Sequence, residues 1–143
     1  FERLITEHLV LHGGYEPRGL AAFDPDEALA ARIDYDIERA LIPSDLIAFI
    51  EATQLKPWAK LQAIHGGKLQ QTFLDALSKD MNRRGALQVM RHGTKFYGQL
   101  IRPVIFAPGH GLNPAVQALY DANRVRVVRQ LRYDPRNPQV RLH

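Results

Sequence analysis

The chain has 143 residues, with 19 Lys and Arg against 15 Asp and Glu, a net charge of +4 and 45% hydrophobic side chains. These figures fit an ordinary globular chain of about one domain, long enough to bury a core. No cysteine is present, which excludes disulfides, thiolate nucleophiles and zinc–thiolate centres and fits a reducing compartment; no run of about 18 apolar residues occurs, which excludes a membrane-spanning helix.

Residues Phe1 to His12 predict a helix, with Phe1, Ile5 and Leu9 on one stripe flanked by Leu4 and Leu11, stopped by Gly13-Gly14. The chain opens on Phe1 already in helical register and without Met, so a piece of a longer protein is expected. From Tyr15 to Pro43 the periodicity weakens around Pro17, Gly19 and Pro25, and a short helix is expected near Asp26–Arg32. This stretch is acidic: Asp24, Asp26, Glu27, Asp34, Asp36 and Glu38 face Arg32 alone between Asp24 and Glu38.

Three helices follow. Ser44 is placed to cap the first, over Asp45 to about Thr53, with Leu46, Ile47 and Ile50 on its apolar face. Pro57 suits the first turn of the second, in which Trp58, Leu61 and Ile64 are expected to face inward as far as Gly66-Gly67. The third repeats Leu69, Phe73, Leu77 and Met81 at helical spacing and closes with Arg83-Arg84 before Gly85; cations favour the negative helix end, and glycine permits the left-handed residue that stops it.

After a short segment over Leu87–Arg91, the residues from Lys95 to Phe106 predict a β-ribbon turning near Gly98, with Pro103 confining its second strand to an edge or bulge. Asn113-Pro114 predicts the cap and first-turn proline of a helix through about Ala122. The last strand, Arg124 to Tyr133, alternates: Val125, Val127, Leu131 and Tyr133 on a core face interrupted by Arg129, and Arg124, Arg126 and Arg132 on a cationic one with Val128 among them. A turn over 134–138 follows. No internal repeat, low-complexity tract or domain boundary is visible, and a single α+β domain, mainly helical, is expected over 1–143.

Few residues group as chemistry requires. His8 and His12 have chelating spacing but no third ligand, and Leu9 stands where a zinc protease needs Glu. His110 lies in a glycine-flanked loop without the Lys and Ser/Thr of a phosphate loop. Ser44 reads as a cap, and Ser78 lacks a nucleophile elbow. The acid pairs Asp24/Asp26 and Asp34/Asp36 fit a solvated face better than a divalent-ion site. The leading candidates are Arg124, Arg126 and Arg132, since guanidinium groups spaced along one strand face can span successive phosphates. The plainer reading is that such arginines protect an exposed strand from edge pairing.

Taken in order, Phe1-Glu2, Ile5, Leu9, Gly13-Gly14-Tyr15, then Ile47-Ala-Phe-Ile-Glu-Ala-Thr-Gln54, Trp58 and Leu61, then Arg91-His-Gly93, then Gly111-Leu-Asn-Pro114, Ala118-Leu-Tyr-Asp-Ala-Asn-Arg124 and Val128-Arg-Gln-Leu-Arg-Tyr133, the chain resembles the N-terminal region of the restriction (R) subunit of type I restriction–modification enzymes. The resemblance covers nearly the whole chain, with Tyr15–Pro43 matching only loosely. It implies a PD-(D/E)XK-type nuclease domain that cuts double-stranded DNA, with a first helix before a small mixed sheet. On that pattern the helices over about 45–92 are an insertion and Arg124–Tyr133 is the first core strand.

The resemblance further implies Mg²⁺ in the complete nuclease domain, ATP in a downstream motor, modification and specificity subunits as partners, and a cytoplasmic protein without a membrane partner. Catalytic Asp and Glu-x-Lys residues belong on the next two strands of the pattern. Neither Glu-x-Lys nor Asp-x-Lys occurs in these 143 residues. Gln54-Leu-Lys56 has the spacing without the carboxylate. Only the auxiliary acid of the first helix can be carried over; Glu2 matches it best, just before Leu4-Ile5, while Glu7, one turn later, reads as a surface residue, so the fragment by itself is expected to be inactive. The competing class is a non-catalytic helical module that holds DNA or docks another subunit.

Overall fold

A computed structural model of the chain describes residues 2–17, 34–109, 113–127, 134, 136 and 137. It is mainly helical and divides into two compact units, one made of Phe1–Pro43 with Arg124–His143, the other of Ser44–Asn123. The expected insertion over about 45–92 lies inside the second unit, which runs on to Asn123. Both junctions abut helix ends and lack a Pro/Gly/Ser-rich linker, so composition leaves no mark there.

In the first unit α1 spans Glu2–His12 and β1 spans Glu16–Pro17. β1 pairs in parallel with β4, Arg126–Val127, in the register Glu16 to Arg126 and Pro17 to Val127. The glycines end α1 as expected: Gly13 and Tyr15 both donate backbone N–H groups to the Leu9 carbonyl, at 2.9 and 3.2 Å, and Gly14 takes a left-handed φ of 70°. The buried face differs from the expected stripe. Thr6 is buried, Leu9 and Val10 are half-buried, and Leu4, Ile5 and Leu11 are exposed. Apolar residues occupy so much of this helix's circumference that periodicity does not single out a face.

The last strand is also shorter than expected in its described part. Pairing covers Arg126–Val127, and Val125, expected in the core, is half exposed. Residues 128–133 lie outside the described residues, as does the helix expected near Asp26–Arg32. Asp134 accepts from Arg136 N–H through its side chain at 2.9 Å and from Asn137 N–H through its carbonyl at 3.2 Å, forming a turn where one was expected.

The second unit is built on α2 (Pro43–Thr53), α3 (Leu55–His65), a 3₁₀ turn at Gly66–Lys68, α4 (Leu69–Arg84) and α5 (Ala86–His92). An antiparallel ribbon of β2 (Thr94–Phe96) and β3 (Gln99–Ile101) and then α6 (Pro114–Asp121) complete it. Its core joins Ile47 and Ile50, Trp58 and Leu61, Leu69, Phe73, Leu74 and Leu77, Val89, Phe96 and Ile101. Edge-to-face contacts link Trp58 to Phe73 at 5.4 Å and Phe73 to Phe96 at 5.6 Å, a preferred aromatic geometry.

The structure corrects two expectations about the helices of this unit. Ser44 lies within α2, one residue behind Pro43, rather than before the helix. Ile64 is exposed, and His65 continues the Trp58–Leu61 stripe. The His65 ring stacks on Phe96 at 5.2 Å and meets Tyr97 edge-on at 4.3 Å. Spacings of three and then four residues put 58, 61 and 65 on one face, and an aromatic histidine fills that place as an isoleucine would.

The ribbon turns through Tyr97 and Gly98, at φ 45° and 75°, so both central residues are left-handed, as in the tight hairpins that follow the strand twist. β3 ends at Ile101, well before the expected Phe106, because Pro103 supplies no N–H to a ladder. Side-chain amides take over from there. Gln54 accepts from Arg102 N–H and donates to the Arg102 carbonyl, both at 2.8 Å. Asn123 likewise accepts from Ile105 N–H at 3.1 Å and donates to the Ile105 carbonyl. Gln54, which mimics nuclease spacing in the sequence, thus serves as a backbone clamp. At α6, Asn113 Oδ1 accepts from the N–H groups of Ala115 and Val116 at 3.1 and 3.3 Å, the cap that the sequence predicts.

Candidate functional site

The sequence-predicted site residues fall in the first unit. Arg124 is exposed just ahead of β4, and Arg126 is the first paired residue of that strand. The side chains of Glu2 and Arg126, and the whole of Arg132, lie outside the described residues. The backbone places Glu2 at the first residue of α1.

Of the other candidates, His110, Asp24 and Asp26 lie outside the described residues, and His8, His12 and Asp36 are placed as follows. The rings of His8 and His12 lie 4.8 Å apart on the exposed side of α1. Asp36 is held in a turn by Arg39, which donates to it from its backbone N–H at 3.0 Å and from its guanidinium. Burial pushes the Asp36 carboxyl up, but these bonds from Arg39 outweigh it and leave the group below its ordinary value. Among the described residues, no three His, Asp or Glu side chains gather where they could hold a metal ion. The resemblance places the main Mg²⁺ ligands on strands that are not in these 143 residues. Among the same residues, no helix is long and apolar enough to cross a membrane.

A charged constellation that sequence reasoning passed over lies in the second unit, at Asp80. Arg84 donates to the Asp80 carboxylate from both Nε, at 2.8 Å to Oδ1, and Nη2, to Oδ2. Arg83 donates to Oδ1 at 2.9 Å and the Thr94 hydroxyl to Oδ2 at 2.7 Å. Arg84 Nη2 also donates to the Gly93 carbonyl at 2.7 Å. One guanidinium thus ties the end of α4 to the corner where α5 becomes β2.

Hydrogen bonding from Arg84, assisted by Thr94 and Arg83, holds the Asp80 carboxyl well below the usual carboxylate range despite the burial that opposes it. Asp80 in turn raises the pKa of Arg84. The carboxylate is therefore charged throughout the neutral and mildly acidic range, and its charge is occupied by its donors.

Above this network an open groove with about 580 Å³ of space is lined by Lys79, Asp80, Arg83, Arg84, His92 and Lys95. Lys79, Arg83, His92 and Lys95 are exposed. Two lysines and two arginines thus share a concave surface with one neutralised acid.

Comparison with protein-family models, curated proteins and solved structures finds no match to this chain. A functional reading consequently rests on the groove, the β1–β4 pairing and the order of the motifs. One signal for the groove is present in the sequence: Asp80 and Arg84 stand four apart on a helix, a favourable ion-pair spacing. Nothing in the linear order announces that Thr94 and Lys95 join them.

Proposed function

We propose that the chain is part of the R subunit of a type I restriction–modification enzyme, a cytoplasmic endonuclease that cuts double-stranded DNA with Mg²⁺ in its nuclease domain and ATP in a downstream motor. The modification and specificity subunits are its partners in that reading. The fragment supplies a frame for the DNA, and its own 143 residues lack the Glu-x-Lys pair that the chemistry needs. The observation that carries the reading is the parallel pairing of β1 with β4 behind α1, a helix-then-sheet start of the kind the resemblance implies for a restriction-endonuclease-like core. A basic strand at that position is consistent with a cut site close to backbone phosphates.

The gene tests this directly: the reading requires an Asp on the next strand beyond His143 and a Glu-x-Lys soon after it, and Mg²⁺-dependent cleavage of duplex DNA by the complete protein. A stop codon directly after His143, or a full-length protein that leaves DNA intact with its partners present, sinks it.

The strand arginines give a second measurement. Replacing Arg124, Arg126 and Arg132 together with alanine is expected to weaken duplex binding and to flatten its dependence on salt by up to roughly 3 units of log–log slope, since each phosphate contact contributes about 0.9. An unchanged slope assigns the row to solubility or subunit docking. The alternative reading, a non-catalytic DNA-holding or docking module, draws its support from the basic groove at Asp80.

A further inference from the structure

We infer that the groove formed by the C-terminal half of α4, the end of α5 and β2 seats backbone phosphates of duplex DNA, with Lys79, Arg83 and Lys95 as the contacting cations. The inference rests on the reading of the chain as part of a DNA-acting enzyme and adds a contact surface in the unit that does not contain the strand arginines. Its charges favour a polyanion: Lys79, Arg83, Arg84 and Lys95 line it beside the single acid Asp80, and the space is open-sided. Such an open shape suits a charged backbone passing across it better than a small molecule, whose pockets enclose most of its surface.

Asp80 would ordinarily repel phosphate. Here its carboxylate is covered by Arg84, Thr94 and Arg83, so the field at the groove mouth is set by the exposed cations. Arg84 is half-buried and fully engaged with Asp80 and Gly93, which makes it the positioning residue that fixes the floor.

The plainer account is that cations collect at helix C-termini to offset the helix dipole. That accounts for Arg83 and Arg84 in the last turn of α4 and for His92 in the last turn of α5. It does not account for Lys79, more than a turn before the end of α4, or for Lys95, which lies on a strand. Those two lysines convert a local compensation into a concave cationic surface. An acidic protein partner would also be attracted to such a surface, and competition by polyglutamate separates that partner from duplex DNA.

The test uses the intact 143-residue chain and a labelled duplex of about 20 base pairs, with binding followed by fluorescence anisotropy over a range of salt. The double variant Lys79→Glu, Lys95→Glu is expected to bind at least tenfold more weakly and with a salt slope lower by about 2, at roughly 0.9 per phosphate contact. Lys79→Arg, Lys95→Arg should bind like the parent. Both positions are exposed, and an unchanged thermal midpoint and Trp58 emission confirm that the variants fold. Equal affinity and equal slope in parent and glutamate variant overturn the assignment, as does competition by polyglutamate as effective as that by duplex of the same charge. If the complete protein cleaves DNA while the glutamate variant binds as the parent does, the groove inference fails and the nuclease reading stands. If the lysines prove necessary for binding and no cleavage occurs, the nuclease reading fails and the groove stands.

Discussion

Replacing Asp80 with alanine is expected to lower the unfolding free energy by about 2–3 kcal/mol, because buried or charge-assisted hydrogen bonds each contribute about 1–3 kcal/mol when one partner is lost. The three donors do not count equally. Arg83 is 77% exposed, and its pairing contributes little, as exposed ion pairs do. The loss comes from Thr94, which is buried and left without its carboxylate acceptor, and from Arg84, whose guanidinium holds the α5–β2 corner. Asp80→Asn keeps the shape and one acceptor, so it should cost less.

Acidity gives the same prediction a sign. The folded carboxyl titrates well below its ordinary value of 3.8. A depressed pKa contributes stability that is fully present above the unfolded-state value and fades as the pH falls from there towards the folded one. Denaturant melts at about pH 7 and about pH 3 should therefore find the difference between the parent and Asp80→Asn narrowed at the lower pH. A difference of the same size at both would mean that the carboxylate's charge is not its source.

The second large effect is expected at Gly93. Its backbone sits at φ 73° and ψ 179°, a region that side-chain-bearing residues occupy only with strain of about 1–3 kcal/mol. A Cβ there would also meet the Ile101 carbonyl oxygen at 2.7 Å, with Arg102 Cγ and Leu100 Cδ1 at 3.1 Å. Backbone on one side and the packed ribbon on the other leave little room to relax, so Gly93→Ala should cost about 3 kcal/mol or more.

Gly98 is the control. It has a similar φ of 75°, but no atom lies within 4 Å of where a Cβ would stand, so Gly98→Ala should cost only about 1 kcal/mol. Equal losses at the two glycines, measured by denaturant melts, would remove the steric part of the argument. Because Gly93 also presents its carbonyl to Arg84, the Gly93 and Asp80 variants should combine non-additively.

Much of the helical unit is legible in the sequence because several local signals agree. Leu69, Phe73 and Leu77 recur at helical spacing, Gly85 follows two arginines, and Asn113-Pro114 announces α6; each is a short-range rule acting within a few residues. Where local signals are degenerate, periodicity misleads. The start of the chain is apolar on too many sides to choose a buried face, so Thr6 rather than Ile5 is inside. Ile64 and His65 are neighbours, and hydropathy favours the wrong one. The candidate site is harder still. Asp80 with Arg84 is visible as a helical pair, but the contribution of Thr94 and Lys95 depends on a corner at Gly93 that folds β2 back against α4. Long-range placement of that kind leaves no periodic trace. The split into two units is equally silent, since the chain passes from one to the other at helix ends.

The β1–β4 pairing has a consequence for how the chain is made. During synthesis Glu16 emerges from the ribosome long before Arg126 exists to pair with it, and every residue of the second unit is translated in between. Loop closure across that interval must precede any reward from the strands, whereas the second unit rests on contacts among neighbouring elements. The Ser44–Asn123 unit should therefore gain protection first in pulse-labelled hydrogen exchange on nascent or refolding chains, and the first unit last. An N-terminal segment kept waiting for so long spends that interval without its strand partner, with Leu4, Ile5 and Leu11 exposed as they also are in the structure.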